Sequence, residues 1–234
     1  MRYFYAPDVH PMHQLDAEES KHMVRVLRAS VGDEFLLIDG RGGRYHGTLH
    51  QLDKRQCVLQ TQLIERVPAP EVELTLVIAP TKSTDRFEWM LEKAMEYGVR
   101  RIQPVWTTRS ERSKEKRERW NRILVSALKQ SQQLWLTELM PAMSWEEYLT
   151  LAQGPGFIAH CEVGEKQHFF EVMNPGESCW VAIGPEGDFT PDEIANAKKT
   201  GATEVSLGAQ RLRTETAGLA AIQMFALAQR SPLT

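Results

Sequence analysis

The sequence predicts an α/β protein, with a mostly parallel sheet flanked by helices, preceded by a small β-barrel. Three observations predict it. After residue 70, short apolar runs of strand character alternate with amphipathic helical stretches, as expected for strands joined by crossover helices. Before residue 67 the apolar runs are short, close together and broken by glycine turns. Between the two, Val67-Pro68-Ala69-Pro70 places two prolines within four residues, a poor strand interior and a good linker. The expected domains are therefore residues 1–68 and 72–234.

In the first domain one short helix, roughly Ala17 to Leu27, precedes the strands. Phe35 to Ile38 reads as a buried strand ending at Asp39-Gly40. Gly42-Gly43 makes a turn, Arg44 to Leu49 resumes, and Cys57 to Ile64 is a further strand. In the second domain Val72 to Ala79 opens the sheet. Asp85 to Tyr97 follows as a helix with Phe87, Met90, Leu91, Ala94 and Met95 on one face, Asp85 and Glu88 fitting a capped start and Gly98 fitting the stop. Ile102 to Trp106 is a strand. A basic helix then carries Trp120, Ile123, Leu124, Ala127 and Leu128 as its core stripe. Gly156 to His160 and Trp180 to Ile183 are strands. Thr190-Pro191-Asp192-Glu193 opens the next helix, with threonine as N-cap, proline at N1 and glutamate at N3. Glu204 to Leu207 is the last strand, and Thr216 to Gln229 the last helix.

The composition excludes several classes. Of 234 residues 42% are apolar and 25% charged, as in ordinary soluble proteins. No apolar run reaches the length of a membrane span, and Met1-Arg2-Tyr3-Phe4-Tyr5 lacks a signal peptide's apolar centre, so a cytoplasmic location is expected. Cys57, Cys161 and Cys179 show no zinc or redox spacing, His10 and His13 lack acidic or thiol partners, and no metal site is expected. A net charge of −3 argues against a generic polyanion binder. Yet residues 109–122 hold seven basic and three acidic residues, a local +4. That stretch fits either a nucleic-acid contact or a solvated helix face.

Two C-terminal blocks carry the chemistry. Ile183-Gly184-Pro185-Glu186-Gly187-Asp188-Phe189-Thr190 and Leu207-Gly208-Ala209-Gln210-Arg211-Leu212-Arg213-Thr214-Glu215-Thr216-Ala217 each join a strand end to a helix start. Ligands of open α/β sheets bind at that edge. Glycine permits close backbone approach, and arginines before a helix N-terminus attract anions. Taken singly, the first block also fits a helix-capping turn, and the second a helix start with Glu215 on the favourable end of the dipole. The chain has no P-loop, and Gly40-Arg41-Gly42-Gly43 is not a dinucleotide fingerprint, so a different backbone pocket is implied.

Together the two blocks closely resemble the last two motifs of the SPOUT methyltransferases, and more narrowly the ribosomal RNA small-subunit methyltransferase E family. Lys93-Ala94-Met95-Glu96-Tyr97-Gly98-Val99, with tyrosine for the usual leucine, is similar to a helix end of that family. Thr108-Arg109-Ser110-Glu111-Arg112-Ser113 resembles its basic segment. The segment His22 to Arg28, with Gly32-Asp33 and Asp39-Gly40, resembles its N-terminal PUA-like barrel. Lys129-Gln130-Ser131-Gln132-Gln133 departs from the family pattern at Lys129, where an acid is usual, and at Gln133, where arginine is.

The resemblance implies a deep trefoil knot, a homodimer, S-adenosylmethionine as cofactor, and methylation of N3 of a decoding-region uridine in 16S ribosomal RNA of the small subunit. It implies cofactor contacts from His160, from Ile183, Gly184, Pro185, Glu186 and Gly187, and from Leu207, Gly208, Leu212, Thr214, Thr216 and Ala217. RNA contacts are expected from Lys21, Arg25, Arg28, Arg41, Arg44, Arg109 and Arg112. Uracil N3–H is a weak acid, so charge on O2 and O4 must be stabilised as the proton leaves. Arginine suits that task because it stays protonated. Arg211, Arg213 and Glu215 are the catalytic candidates, with Glu215, Glu186 or water as the base. Two alternatives are a SPOUT enzyme acting on another RNA position and a non-catalytic RNA-binding assembly factor.

Overall fold

The computed structural model describes residues 3–111 and 114–229. It divides into two compact units, 1–69 with 125–136, and 70–124 with 137–234. The stretch 125–136, placed by the sequence reading in the second domain, thus packs with the first unit.

The first unit contains β1 (Tyr3–Tyr5), β2 (Met12–Gln14), α1 (Ala17–Arg25), β3 (Glu34–Ile38), β4 (Gly43–Gln51) and β5 (Val58–Arg66). The strands form one sheet in the order β1-β3-β4-β5-β2, antiparallel except for the parallel β1–β3 pair. Alternation drives Phe35, Leu37, Leu49 and Leu59 inward, where they meet Phe4 and Met23 of α1. Asp16 caps α1 by accepting from the Glu19 amide at 2.8 Å. Asp39 holds the β3–β4 turn. Its carboxylate accepts from the amides of Arg41 and Gly43, from the Tyr45 hydroxyl and from Arg66. Burial disfavours this carboxylate, but those four donors outweigh it and keep its pKa below the usual aspartate value. The same turn receives residues 134–136, through Gly42 N to Leu134 O at 2.8 Å and Leu136 N to Gly40 O at 3.0 Å. Lys129, the first departure from the family pattern, pairs with Glu19 at 2.8 Å.

The second unit contains β6 (Leu74–Ile78), α2 (Thr84–Glu96), β7 (Arg101–Trp106), α3 (Arg117–Ser131, shared between the units), β8 (Glu138–Leu139) and β9 (Met143–Ser144). It continues with α4 (Trp145–Leu151), β10 (Gly156–Ala159), β11 (Gln167–His168), α5 (Phe169–Val172), β12 (Cys179–Ile183), α6 (Pro191–Lys199), β13 (Thr203–Ser206) and α7 (Thr214–Ala228). Its ladders are parallel, in the order β11-β13-β10-β12-β6-β7-β8, with β9 also on β7. The two sheet faces show in β6. Val77 joins a core with Trp145, Tyr148, Trp180, Phe189 and Ile194, whereas Leu76 and Ile78 meet Gly218 of α7.

The structure adds elements that the sequence pattern did not reveal. The strands β1, β2, β8, β9 and β11 are too short to show periodicity, and α4 was missed although Ser144 caps it through the Glu147 amide. Two helix starts move. Helix α2 opens at Thr84 rather than Asp85, with Ser83 at the N-cap position but making no side-chain cap bond, and Glu88 pairs with Arg119. Helix α7 begins at Thr214, two residues early, with Arg213 as N-cap.

Candidate active site

Parallel register aligns three strand ends. Ala159 of β10 sits opposite Ile183 of β12 and Val205 of β13, while Ile183 sits opposite Ile78 of β6. The chain leaves the sheet at this row, and there a cavity of about 660 Å³ opens. That volume lies in the range of small-molecule sites.

The first block forms one wall. A turn closes it through the Asp188 amide to Pro185 O at 2.9 Å. Asp188 adopts φ 64°, a left-handed geometry that a short polar side chain tolerates. Its carboxylate accepts from the Cys161 amide at 2.7 Å and from the Phe189 amide at 2.8 Å, tying the β12 loop to the end of β10. Phe189 is fully buried against Trp145, ring centroids 5.0 Å apart, and anchors the loop in the core. Glu186 accepts from the Lys82 amide at 2.9 Å. The α6 capping box follows this loop. Glu193 accepts from the Thr190 amide while its other oxygen accepts from the Thr108 amide at 2.7 Å.

The second block forms the opposite wall. Gly208 has φ +129°, a conformation open to glycine and strained for other residues. Thr214 bridges the walls by donating its hydroxyl to Gly184 O at 3.0 Å. Arg211 and Arg213 line the cavity, exposed, and neither guanidinium has an ion-pair partner among the described residues.

Most of the expected cofactor residues meet at this cavity: His160, Ile183, Gly184, Pro185, Glu186, Leu207, Gly208, Leu212, Thr214 and Ala217. Three expected residues do not line it. A Cβ at Gly187 would meet Arg109 at 3.2 Å, so Gly187 faces that arginine. Thr216 is exposed on α7. Glu215 is buried, 3.8 Å from Arg86 of α2. For the last two, the helical phase of α7 from Thr214 turns Thr214 and Glu215 inward and Thr216 outward.

Arg109, expected at RNA, donates to Gly187 O at 2.8 Å and Phe189 O at 3.2 Å, bracing the first loop. Arg112 lies outside the described residues. Of the basic residues in the first unit, Arg41 pairs with Asp8 and Arg44 with Glu65. Lys21, Arg25 and Arg28 are exposed and have no ion-pair partner among the described residues. The sequence reading missed Lys166, Asp188, Cys161 and Gln210, all in the cavity wall. Asp188 stood within the quoted first block. Lys166 and Cys161 carried no signal, because a loop lysine and a lone cysteine have no periodicity.

His160 directly follows β10, with its side chain only 3% exposed and Nε2 3.1 Å from Glu204. Burial, then the charge of Lys166, lowers its pKa below the ordinary histidine value, although Glu204 acts in the opposite direction. Lys198, through its hydrogen bond, holds the Glu204 carboxyl below its own usual value. The unfolded chain therefore takes up a proton on this histidine before the folded one does. Stability from neutral His160 is present above its unfolded pKa, about 6.5, and is lost as pH falls through and below it. Unfolding followed from about pH 7 to about pH 5 should show a shallower loss in His160→Gln than in the wild type. Equal slopes would remove His160 as a source of acid sensitivity.

Among the described residues no cluster of three or more His, Cys, Asp or Glu is placed to hold a metal, and no helix is long and apolar enough to cross a membrane.

Comparison with known proteins agrees with this architecture. A family described as RNA methyltransferase domain matches residues 68–226, and an RNA methyltransferase PUA domain matches residues 15–62. Ribosomal RNA small subunit methyltransferase E of a Synechocystis species is 31% identical over 89% of this chain and 70% of its own. A probable rRNA methyltransferase from Porphyromonas gingivalis superposes with TM-score 0.89 at 34% identity, covering 98% of each chain. Ribosomal RNA small subunit methyltransferase E from Neisseria gonorrhoeae, solved bound to S-adenosyl methionine, gives TM-score 0.84 at 28% identity over 95% of each. With an RNA methyltransferase domain behind a PUA domain and this extent of likeness, the chain belongs to the ribosomal RNA small subunit methyltransferase E family.

Proposed function

We propose that the protein methylates N3 of a uridine in the decoding region of 16S ribosomal RNA, using S-adenosylmethionine. The observation that carries this reading is the cavity at the ends of β10, β12 and β13, walled by two glycine-bearing loops and rimmed by two arginines without ion-pair partners among the described residues. The cavity fits the cofactor in size, in its backbone-rich walls and in the open glycine conformation at Gly208. Cofactor contacts are assigned to His160, Ile183 to Glu186, Leu207, Gly208, Leu212, Thr214 and Ala217.

When bound, the cofactor supplies a methyl group on a sulfonium whose departure needs no proton. The protein's share is positioning and charge. Arg211 and Arg213 place their guanidinium groups where charge develops on O2 and O4 as the N3 proton leaves. Of the two carboxylates expected as the base, Glu186 lines the cavity and Glu215 does not, so Glu186 is assigned to take the proton. Lys21, Arg25 and Arg28 of the first unit, which have no ion-pair partner among the described residues, are assigned to RNA phosphates, unlike Arg41 and Arg44.

The reading includes a trefoil knot in the second unit, a cytoplasmic location with the small subunit, and a homodimer. Trp89 of α2, Tyr97 at its C-cap and Leu227 of α7 support the dimer, because these large apolar side chains are exposed along two helices that pack together.

The direct test is methyl transfer from labelled cofactor to small subunits, with the modified nucleoside identified. A methyl at another atom or in another RNA would overturn the assignment. Cofactor placement has a separate readout. Cys161 is exposed in the cavity wall, whereas Cys57 and Cys179 are buried. Bound cofactor should slow alkylation of Cys161 alone.

A further inference from the structure

Between β10 and β11 the chain forms a short strap, residues 160–166, along one side of the cavity. His160 and Cys161 start it and Lys166 ends it, all three lining the cavity, while Glu162 to Glu165 are exposed and Val163 is wholly so. An exposed loop with so little buried apolar surface needs another source of order. The Cys161 amide bonds to Asp188. Outside the sheet ladders and the His160–Glu204 contact, the strap's remaining hydrogen bonds among the described residues come from Lys166. Its ammonium donates to His160 O at 3.0 Å and to Glu162 O at 2.5 Å, and stands 3.5 Å from His160 Nδ1. Lys166 is half-buried, and a lysine with three donors and no acceptor suits a knot of carbonyl oxygens. Its position just before β11 anchors it, since Gln167 pairs with Val205, the residue that ends the row of aligned strand ends.

We propose that Lys166 is a positioning residue for the cofactor: its ammonium draws the strap into one shape and so forms the third wall of the cavity before any ligand arrives. The contribution is preorganisation, so its loss weakens cofactor binding and leaves methyl transfer at saturation unchanged. Neutral His160 donates from Nε2 to Glu204 and keeps Nδ1 toward Lys166, which gives the arrangement a spectroscopic signature.

The inference rests on the cavity being the cofactor's, and its test separates the two. In the full chain without cofactor, amide hydrogen exchange in residues 160–166 should quicken about ten-fold in Lys166→Met. The His160 ring nitrogen resonances should shift as well. The Kd and KM for S-adenosylmethionine should rise about ten-fold with kcat held within about two-fold, and Lys166→Arg should recover most of the loss. Unchanged exchange in Lys166→Met would overturn the brace, whatever the cofactor does. Unchanged Kd, or a fall in kcat alone, would overturn the positioning role. A wild-type protein that bound no S-adenosylmethionine would instead sink the reading of the cavity, while the exchange comparison still decides the brace.

Discussion

Arg213→Ala lowers methyl transfer at saturating cofactor and RNA by about 100- to 1,000-fold, the usual loss when one donor to a developing oxyanion is removed. The structure argues that this loss is not a folding defect. Arg213 is the N-cap of α7, but it caps through its backbone, its carbonyl accepting from the Ala217 amide at 2.8 Å. Its side chain makes no cap bond and no ion pair among the described residues, and it is exposed. Alanine therefore removes charge from the cavity and little else. Many other arginines here are engaged, Arg66 with Asp39, Arg86 with Glu215, Arg119 with Glu88 and Arg109 with loop carbonyls. A guanidinium without such a partner at a cavity rim is available for substrate. Single-turnover kinetics with thermal unfolding on the same sample provide the check. A wild-type rate, or a rate loss matched by a lower melting temperature, would remove Arg213 from the chemistry.

Phe189→Ala destabilises the second unit by about 3–5 kcal/mol, as for other buried aromatic truncations. The ring is fully buried, packs on Trp145 and fills the space beside Gly184, where a Cβ would meet it at 3.1 Å. Its loss opens a hole beneath the first loop. Two effects should appear together, a melting temperature lower by about 10 °C and weaker cofactor binding. Calorimetry of unfolding and of cofactor titration would measure both. A melting temperature within about 2 °C of the wild type would contradict the anchoring role.

Periodicity and punctuation made much of the second unit legible. The β6, β12 and β13 runs, the Thr190-Pro191-x-Glu193 start of α6 and the Gly98 stop of α2 are local signals, and the structure carries each of them. The two glycine-bearing blocks were legible as a pair because each joins a strand end to a helix start. Short edge strands such as β8 and β11 escaped, since two residues pair through a neighbour's backbone and leave no pattern of their own. That residues 125–136 pack with the first unit was not legible for a related reason. Their helical stripe is continuous with α3, and only packing divides that helix.

Side-chain roles divide along the same line. The sequence by itself determined which loops form the cavity, because glycine, proline and capping residues act on their own neighbours in the chain. It also determined the chemistry available there, in Arg211, Arg213, Glu186 and the glycines. Only the tertiary structure decided which of these groups are free. Glu215 is turned away toward Arg86, and Arg109 is spent on the carbonyls of Gly187 and Phe189. The physical reason is that a charge takes its role from its partner. Here the partners lie far along the chain, 78 residues apart for Arg109 and Gly187, at a separation that no local pattern records.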